Sequence, residues 1–503
     1  MPVLAKDLRY GPFQPDLPEY NNPGSSVITN VIPVAGGYEP TLALEEIGGA
    51  LGGTPLGAFS ALDNSGNVIN FAADDGDLYK QNAGTLNWDV VSKAGGYTTG
   101  ADDFWSFTQF GNFVIATNFA DAVQVFELGV STLFADLGGS PPKAKYVATV
   151  REFVMFAYLD ESGTVDPFGV RWSANGDHTS YPTVGADAAI AVQSDRVTLE
   201  SQFGFITGMT TGLQGGDVVI YQKRGLTRGL FTGSPFFFTF DQIEGSRGTD
   251  APNSIVEIGG YNFYLAEDGF YAFDGVNSVP IGAQKVDRTL FSTISSDFNQ
   301  VFGTADPTKK IIYWAFPTVS STPDTMFIYS WDIQEWSKAD GYSVVFLNRS
   351  LTNGFTLETL DTISTSLDLL PASLDSREFQ GGELRIGAWT TDNKFASFSG
   401  TTLEATVDTT LRQITQTDRL AFVREIWPHV QNANDADITS ALGHQYQTND
   451  GIVYTGFTSI NAMGFCPLRV TARFGRVRTK IAAGATWDFI HSCDVVGVGK
   501  GRR

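Results

Sequence analysis

From about residue 50 onward the chain repeats one rhythm: an aromatic-ended apolar run, a turn of Gly, Asp or Asn, then another run. That rhythm restricts the possible folds more than any other feature. Marking one aromatic per unit gives Tyr79, Phe126, Trp172, Tyr221, Tyr271, Trp331 and Phe398, with steps of 47, 46, 49, 50, 60 and 67 residues. Repeats of about 40–50 residues are blade-sized, which suits a β-propeller whose last units carry insertions. The dipeptides Asp75-Gly76, Asn175-Gly176, Asp268-Gly269 and Asp274-Gly275 accept positive φ between paired strands, so the segment Tyr264–Phe273 reads as a hairpin. Past its two lysines, Lys309–Phe316 is apolar on both alternating faces. Propeller blades bury both faces against their neighbours, whereas a two-sheet sandwich leaves one face polar.

The flanks differ from this body. Pro2, Pro12, Pro15, Pro18, Pro23, Pro33 and Pro40 crowd the first 40 residues, and proline at that density blocks helix and favours extended backbone. Residues 1–45 are therefore expected to form an extended arm, which either packs with the C-terminal domain or wraps a neighbour. Beyond Gly400 the texture becomes Thr-rich and then basic, and 467–496 alternates as two antiparallel strands. The expected architecture is all-β: an irregular propeller of six or seven blades over 46–400 with an insertion around 337–380, followed by a β-sandwich-like domain over 401–503. A length of 503 residues fits more than one packed unit. Glycine, 54 residues or about 11%, exceeds the usual roughly 7%, as tight turns between many short strands require. No apolar run reaches the roughly 18–20 residues of a membrane span, and the opening MPVLAKDLRYG lacks a signal-peptide core. A protein made in the cytoplasm, with no membrane span, is expected.

Motifs for chemistry are sparse, so no catalytic, cofactor or metal residues are assigned. Cys466 and Cys493 lie 27 residues apart in no metal-type spacing and read as small buried side chains. His178, His429, His444 and His491 are scattered outside any nucleophile or metal motif. Gly497-Val498-Gly499-Lys500 lacks the first glycine and the Ser/Thr of a phosphate loop. Acidic pairs such as Asp74-Asp75 and Asp102-Asp103 have the chemistry for a glycosidase or lyase, and Asp74–Asp77 that for calcium, but aspartates beside glycine are mostly turn residues. The net charge of −22 is uneven: 401–503 holds 11 basic against 9 acidic residues, +2, leaving −24 on 1–400. Within that C-terminal part Arg469, Arg473, Arg476, Arg478 and Lys480 form a dense basic run, and the last three alternate onto one strand face. They read as a docking strand for an acidic protein surface, or as a solvated face; phosphate binding is disfavoured by the acidic whole.

Several separated passages together resemble a known family. Pro15-Asp16-Leu17-Pro18, Asn22-Pro23-Gly24, Val31-Ile32-Pro33 and Gly36-Gly37-Tyr38 look like its proline-rich opening. Phe110–Asn118, Arg171-Trp172-Ser173 and Leu265–Gly275 are similar to its blade strands, and Gly475-Arg476-Val477-Arg478 with a strand near Cys493 to its closing basic pair. The family is the tail hub or nozzle proteins of short-tailed bacteriophages, also called packaged-DNA stabilisation proteins. The resemblance implies a non-enzymatic virion subunit in a hexameric ring below the portal and adaptor, in contact with tail fibre or needle proteins. Genomic DNA would pass through that ring without sequence-specific binding. A rival expectation is a propeller that reads a host glycan or protein; its support is the exposed aromatic potential of Trp105, Trp172 and Trp336, side chains that more often belong to packed blades.

Overall fold

The computed structural model describes residues 3–20, 22–211, 213, 216–233, 236–295, 297–354, 366, 381–415, 419–447 and 450–500. Most of the segment expected as an insertion, 337–380, lies outside the described residues from 355 on.

Seven four-stranded antiparallel blades form the body. Blade 1 runs Gly57–Leu62, Val68–Ala73, Leu78–Gln81 and Trp88–Val90. Blade 2 begins at Ser106–Phe110, blade 3 at Lys143–Val150, blade 4 at Ile206–Thr211, blade 5 at Val256–Ile258 and blade 6 at Phe302–Asp306. Blade 7 takes three strands in sequence, Val344–Leu351, Leu384–Thr390 and Lys394–Ser397. Its fourth, Glu45–Ala50, comes from the N-terminal side, with Ser397 opposite Glu45 and Lys394 opposite Ala50. The ring is thus closed by hydrogen bonds between distant parts of the chain.

Each aromatic marker falls in or beside a strand of a different blade, from Tyr79 in blade 1 to Phe398 just past the third strand of blade 7. The strands with two apolar faces behave as periodicity demands: all six residues of Ile311–Phe316 and all six of Thr325–Ser330 are buried, because other strands cover both faces of blade 6.

The remaining strands form a two-sheet sandwich. One sheet holds Val31–Val34, Gly37–Pro40, Phe489–Gly499, Ala421–Gln431 and Cys466–Ala472, with Val3–Arg9 also on Phe489–Gly499. The other holds Ala405–Asp408, Phe474–Ile481 and Ile438–Gln445. The sequence suggested two antiparallel strands within 467–496; instead three strands lie there, and consecutive ones alternate between the sheets. The alternation in the text reports one buried and one outer face per strand. It carries no information on which strand is the partner.

Arm residues stitch the two parts together. Thr29 pairs in parallel with Lys338 of blade 6, while Ile28 and Thr29 pair with Val407 and Thr406 of the sandwich. Blade 6 and one sandwich sheet are therefore a single eleven-stranded sheet. The hydrophobic core is shared as well: Trp314, Trp336 and Phe270 belong to the same buried cluster as Val423, Val477 and Ile490. Asp16, within the Pro-Asp-Leu-Pro passage, accepts hydrogen bonds from the backbone N–H groups of Arg288 and Thr289 at 2.9 and 2.8 Å and so caps helix Asp287–Thr293 between blades 5 and 6. Among the described residues no helix is long and apolar enough to cross a membrane.

Candidate functional site

Two places concentrate polar and aromatic groups. The first is the end of the propeller axis at which the inner strands of blades 2 to 6 begin. There Asp102–Ser106, Phe205–Thr210 and Asp297–Asn299 surround a cavity of about 620 Å³, within the usual size range of ligand pockets. Lys145, on the inner strand of blade 3, reaches Asp103 at 2.6 Å and lies 4.9 Å from the Tyr158 ring centroid and 5.4 Å from that of Phe119. The Phe119 and Tyr158 rings meet edge-to-face at 5.3 Å, and Tyr158 and Phe205 at 6.4 Å. Phe119 and Tyr158 both adopt positive φ, 66° and 60°, a conformation that is costly for bulky side chains. In blade 3 the cause is a register shift between Ala157 and Leu159, which turns the Tyr158 side chain into the mouth. A second ion pair, Lys223 with Asp250 at 2.9 Å, sits on the same rim. Phe205 is 45% exposed. Thr207 is buried, yet its hydroxyl has no hydrogen-bond partner.

The second place is the basic run. Arg478 grips the buried carboxylate of Asp408 with two hydrogen bonds of 2.7 Å, and its guanidinium lies 4.2 Å from the Tyr454 ring centroid. Arg476 approaches the same carboxylate at 3.2 Å and donates to Glu19 of the arm at 2.6 Å. Tyr454 donates to Asp408 at 2.9 Å, and burial followed by the Asp408 charge holds its phenol well above the ordinary range. Lys480 pairs with Glu404 at 2.8 Å. The three residues do share a strand face, and their carboxylate partners come from this chain. Arg473 lies 5.9 Å from the Phe474 ring centroid, and Arg469 is exposed on the strand Cys466–Ala472 of the opposite sheet. The five cations span two sheets: Arg476 pairs with Glu19 of the arm and with Asp408, Arg478 with Asp408 and Lys480 with Glu404, while Arg469 lies on the opposite sheet.

The other sequence candidates resolve into structural roles. Asp74 accepts from the N–H groups of Gly53, Gly76 and Asp77 and from the Tyr79 hydroxyl at 2.7–2.9 Å, so the loop's own donors occupy both its oxygens. His429 and His491 stack at 5.7 Å, in line with Phe489. Among the described residues no group of three or more His, Cys, Asp or Glu is placed to hold a metal. Both cysteines are buried and free, and burial pushes the Cys493 thiol up to about 12. Trp105, Trp172 and Trp336, open from the sequence to a recognition face or to packed blades, are 5%, 2% and 0% exposed and belong to blade cores. Sequence reasoning missed the mouth aromatics Phe119, Tyr158 and Phe205. Local pattern marks none of them, since a bulge and two loops aim them.

No family model and no curated protein matches the sequence. Among solved structures the chain is similar to the crystal structure of BamB from Moraxella catarrhalis, at 12% identity and a TM-score of 0.37, over 73% of this chain and 93% of that one.

Proposed function

We propose that the chain is a non-enzymatic structural subunit of a short-tailed phage tail. In this reading copies close into a hub or nozzle ring, expected to be six-fold, below the portal and adaptor, and DNA is retained and released through its centre. The supporting observation is the outer edge of the sandwich. Val453–Tyr454 and Thr458–Ser459 add short strands to Ile438–Gln445, and this stretch exposes Tyr446 by 50%, Val453 by 61%, Phe457 by 43% and Met463 by 74%. Apolar side chains concentrated on one sheet edge are characteristic of a protein-protein contact. A contact of this edge with a different face of the next copy is heterologous, and it closes a ring where the rotation between copies divides a full turn, as the six-fold reading requires. The excess of −24 on residues 1–400 gives such a ring an acidic surface that does not adsorb DNA.

Electron microscopy of the purified protein, alone and mixed with portal and adaptor, tests the reading. A six-fold ring with an open axis is expected, and Val453→Glu with Met463→Glu should leave monomers that keep their fold by circular dichroism. Wild-type protein that stays monomeric in both samples overturns the proposal.

A further inference from the structure

We infer that the propeller mouth is a binding site for an uncharged saccharide, a role that stands independently of ring formation. Three properties of the cavity select this ligand. First, the position that a cation would take between Phe119 and Tyr158 is already filled by Lys145, with Asp103 as its counter-ion. What remains available is the half-exposed ring of Phe205, a flat apolar plate of the kind that stacks against the C–H face of a pyranose. Second, the wall around that plate mixes apolar side chains with hydrogen-bonding ones, as a ligand with C–H faces and hydroxyl edges requires: the carboxylates of Asp102 and Asp297 and the amides of Asn253 and Asn299 stand among aromatic and aliphatic residues. Beside them Thr207 is 4% exposed, and its hydroxyl is buried and unpartnered. Buried polar groups in folded proteins are almost always paired, so this hydroxyl, just beneath the cavity wall, is a group that a ligand seated against Thr207 would satisfy. Third, the lining carries four aspartates, Asp102, Asp103, Asp250 and Asp297, against Lys145 and Lys223, a balance of −4 + 2 = −2. That charge opposes sialylated and uronate sugars and phosphate-bearing ligands. Strain at Phe119 and Tyr158 supports the assignment, because the backbone holds two aromatic rings at the mouth against their conformational preference.

The test is titration calorimetry of the full-length protein with neutral gluco-, galacto- and manno-configured oligosaccharides and with sialylated and uronate ones. Intrinsic tryptophan fluorescence, with Trp105 among the residues of the cavity wall, provides a second signal. Saturable binding of a neutral sugar is expected, insensitive to salt. Phe205→Ala should weaken it about three- to tenfold, the size of one aromatic stacking contact. Thr207→Val removes a hydroxyl that has no partner in the free protein, so it should keep the melting temperature while weakening binding by a similar factor. Phe236→Ala, a change of the same kind at an exposed ring elsewhere (Phe236 is 75% exposed), should bind as wild type. Heat from no neutral sugar at millimolar concentration, binding confined to acidic glycans or to a basic peptide, or unchanged affinity in both mouth variants overturns the inference. Each readout applies equally to monomer and ring, so a failure here is separable from a failure of the tail reading.

Discussion

Asp287 shows how a single side chain couples the arm to the ring. It is buried beside Asp16 and Asp268 and accepts from the Phe270 N–H at 3.2 Å; Gly269 and Gly282 leave the room that its carboxylate fills. Burial first, and the neighbouring carboxylates second, push it up to about 7 from an ordinary 3.8. A carboxyl raised in the folded state favours folding when protonated. Its contribution is complete below about pH 4 and is lost as pH rises through about 7. Asp287→Asn should therefore stabilise the protein at pH 8, by roughly 2–4 kcal/mol, and flatten the dependence of melting temperature on pH between 4 and 7. An unchanged profile would remove Asp287 as its source. Asp408 is the opposite case, a buried carboxylate with full partners. Arg478→Ala leaves it underpaired and should cost about 3–5 kcal/mol in urea denaturation. The two cysteines should react with a thiol reagent only after unfolding, since both are buried and both thiols are held in the protonated form.

At the scale of elements, strand Glu45–Ala50 matters most for the ring. It pairs with Lys394–Ser397, and its Ile47 packs with Trp389, Tyr79 and Leu51. Ile47→Pro restricts the backbone of this edge strand and removes the Ile47 packing, and should lower its stability. Limited proteolysis should then cut blade 7 before any other blade. Blades 1 to 6 were legible from the sequence because each is a run of neighbouring strands, and local turns such as Asp268-Gly269 announce local pairs. Blade 7 was legible as an aromatic marker, Phe398, but not in its closure, because nothing about Glu45–Ala50 names a partner some 350 residues away. The same limit applies to the basic run. Alternation placed Arg476, Arg478 and Lys480 on one face correctly, whereas their carboxylates at 19, 404 and 408 became visible only through tertiary pairing. The mouth was the least legible feature, since Tyr158 reaches it by a bulge that one residue's shift in register creates.

At the scale of the whole molecule, blades 5 and 6 and the sandwich share one core, while blades 1 to 4 are packed in separate clusters. Elements within one cluster should open together. Amide exchange in Thr325–Ser330 and Ala421–Gln431 is expected to report the same opening free energy although the strands lie in different parts of the fold. Distinct opening energies would mean that the shared core does not couple them.

The closing strands also impose an order on biosynthesis. Val3–Arg9 leaves the ribosome well before its partner Phe489–Gly499 is made, and Glu45–Ala50 waits for Lys394–Ser397. At about 5–20 residues per second the first strands spend roughly 20–100 s without their partners. Throughout that interval the nascent chain presents unpaired edges, and the ring cannot close one blade at a time as it emerges. Chains arrested near residue 380 should therefore be protease-sensitive and chaperone-bound, and protection should appear only once Lys394–Ser397 and Phe489–Gly499 have emerged.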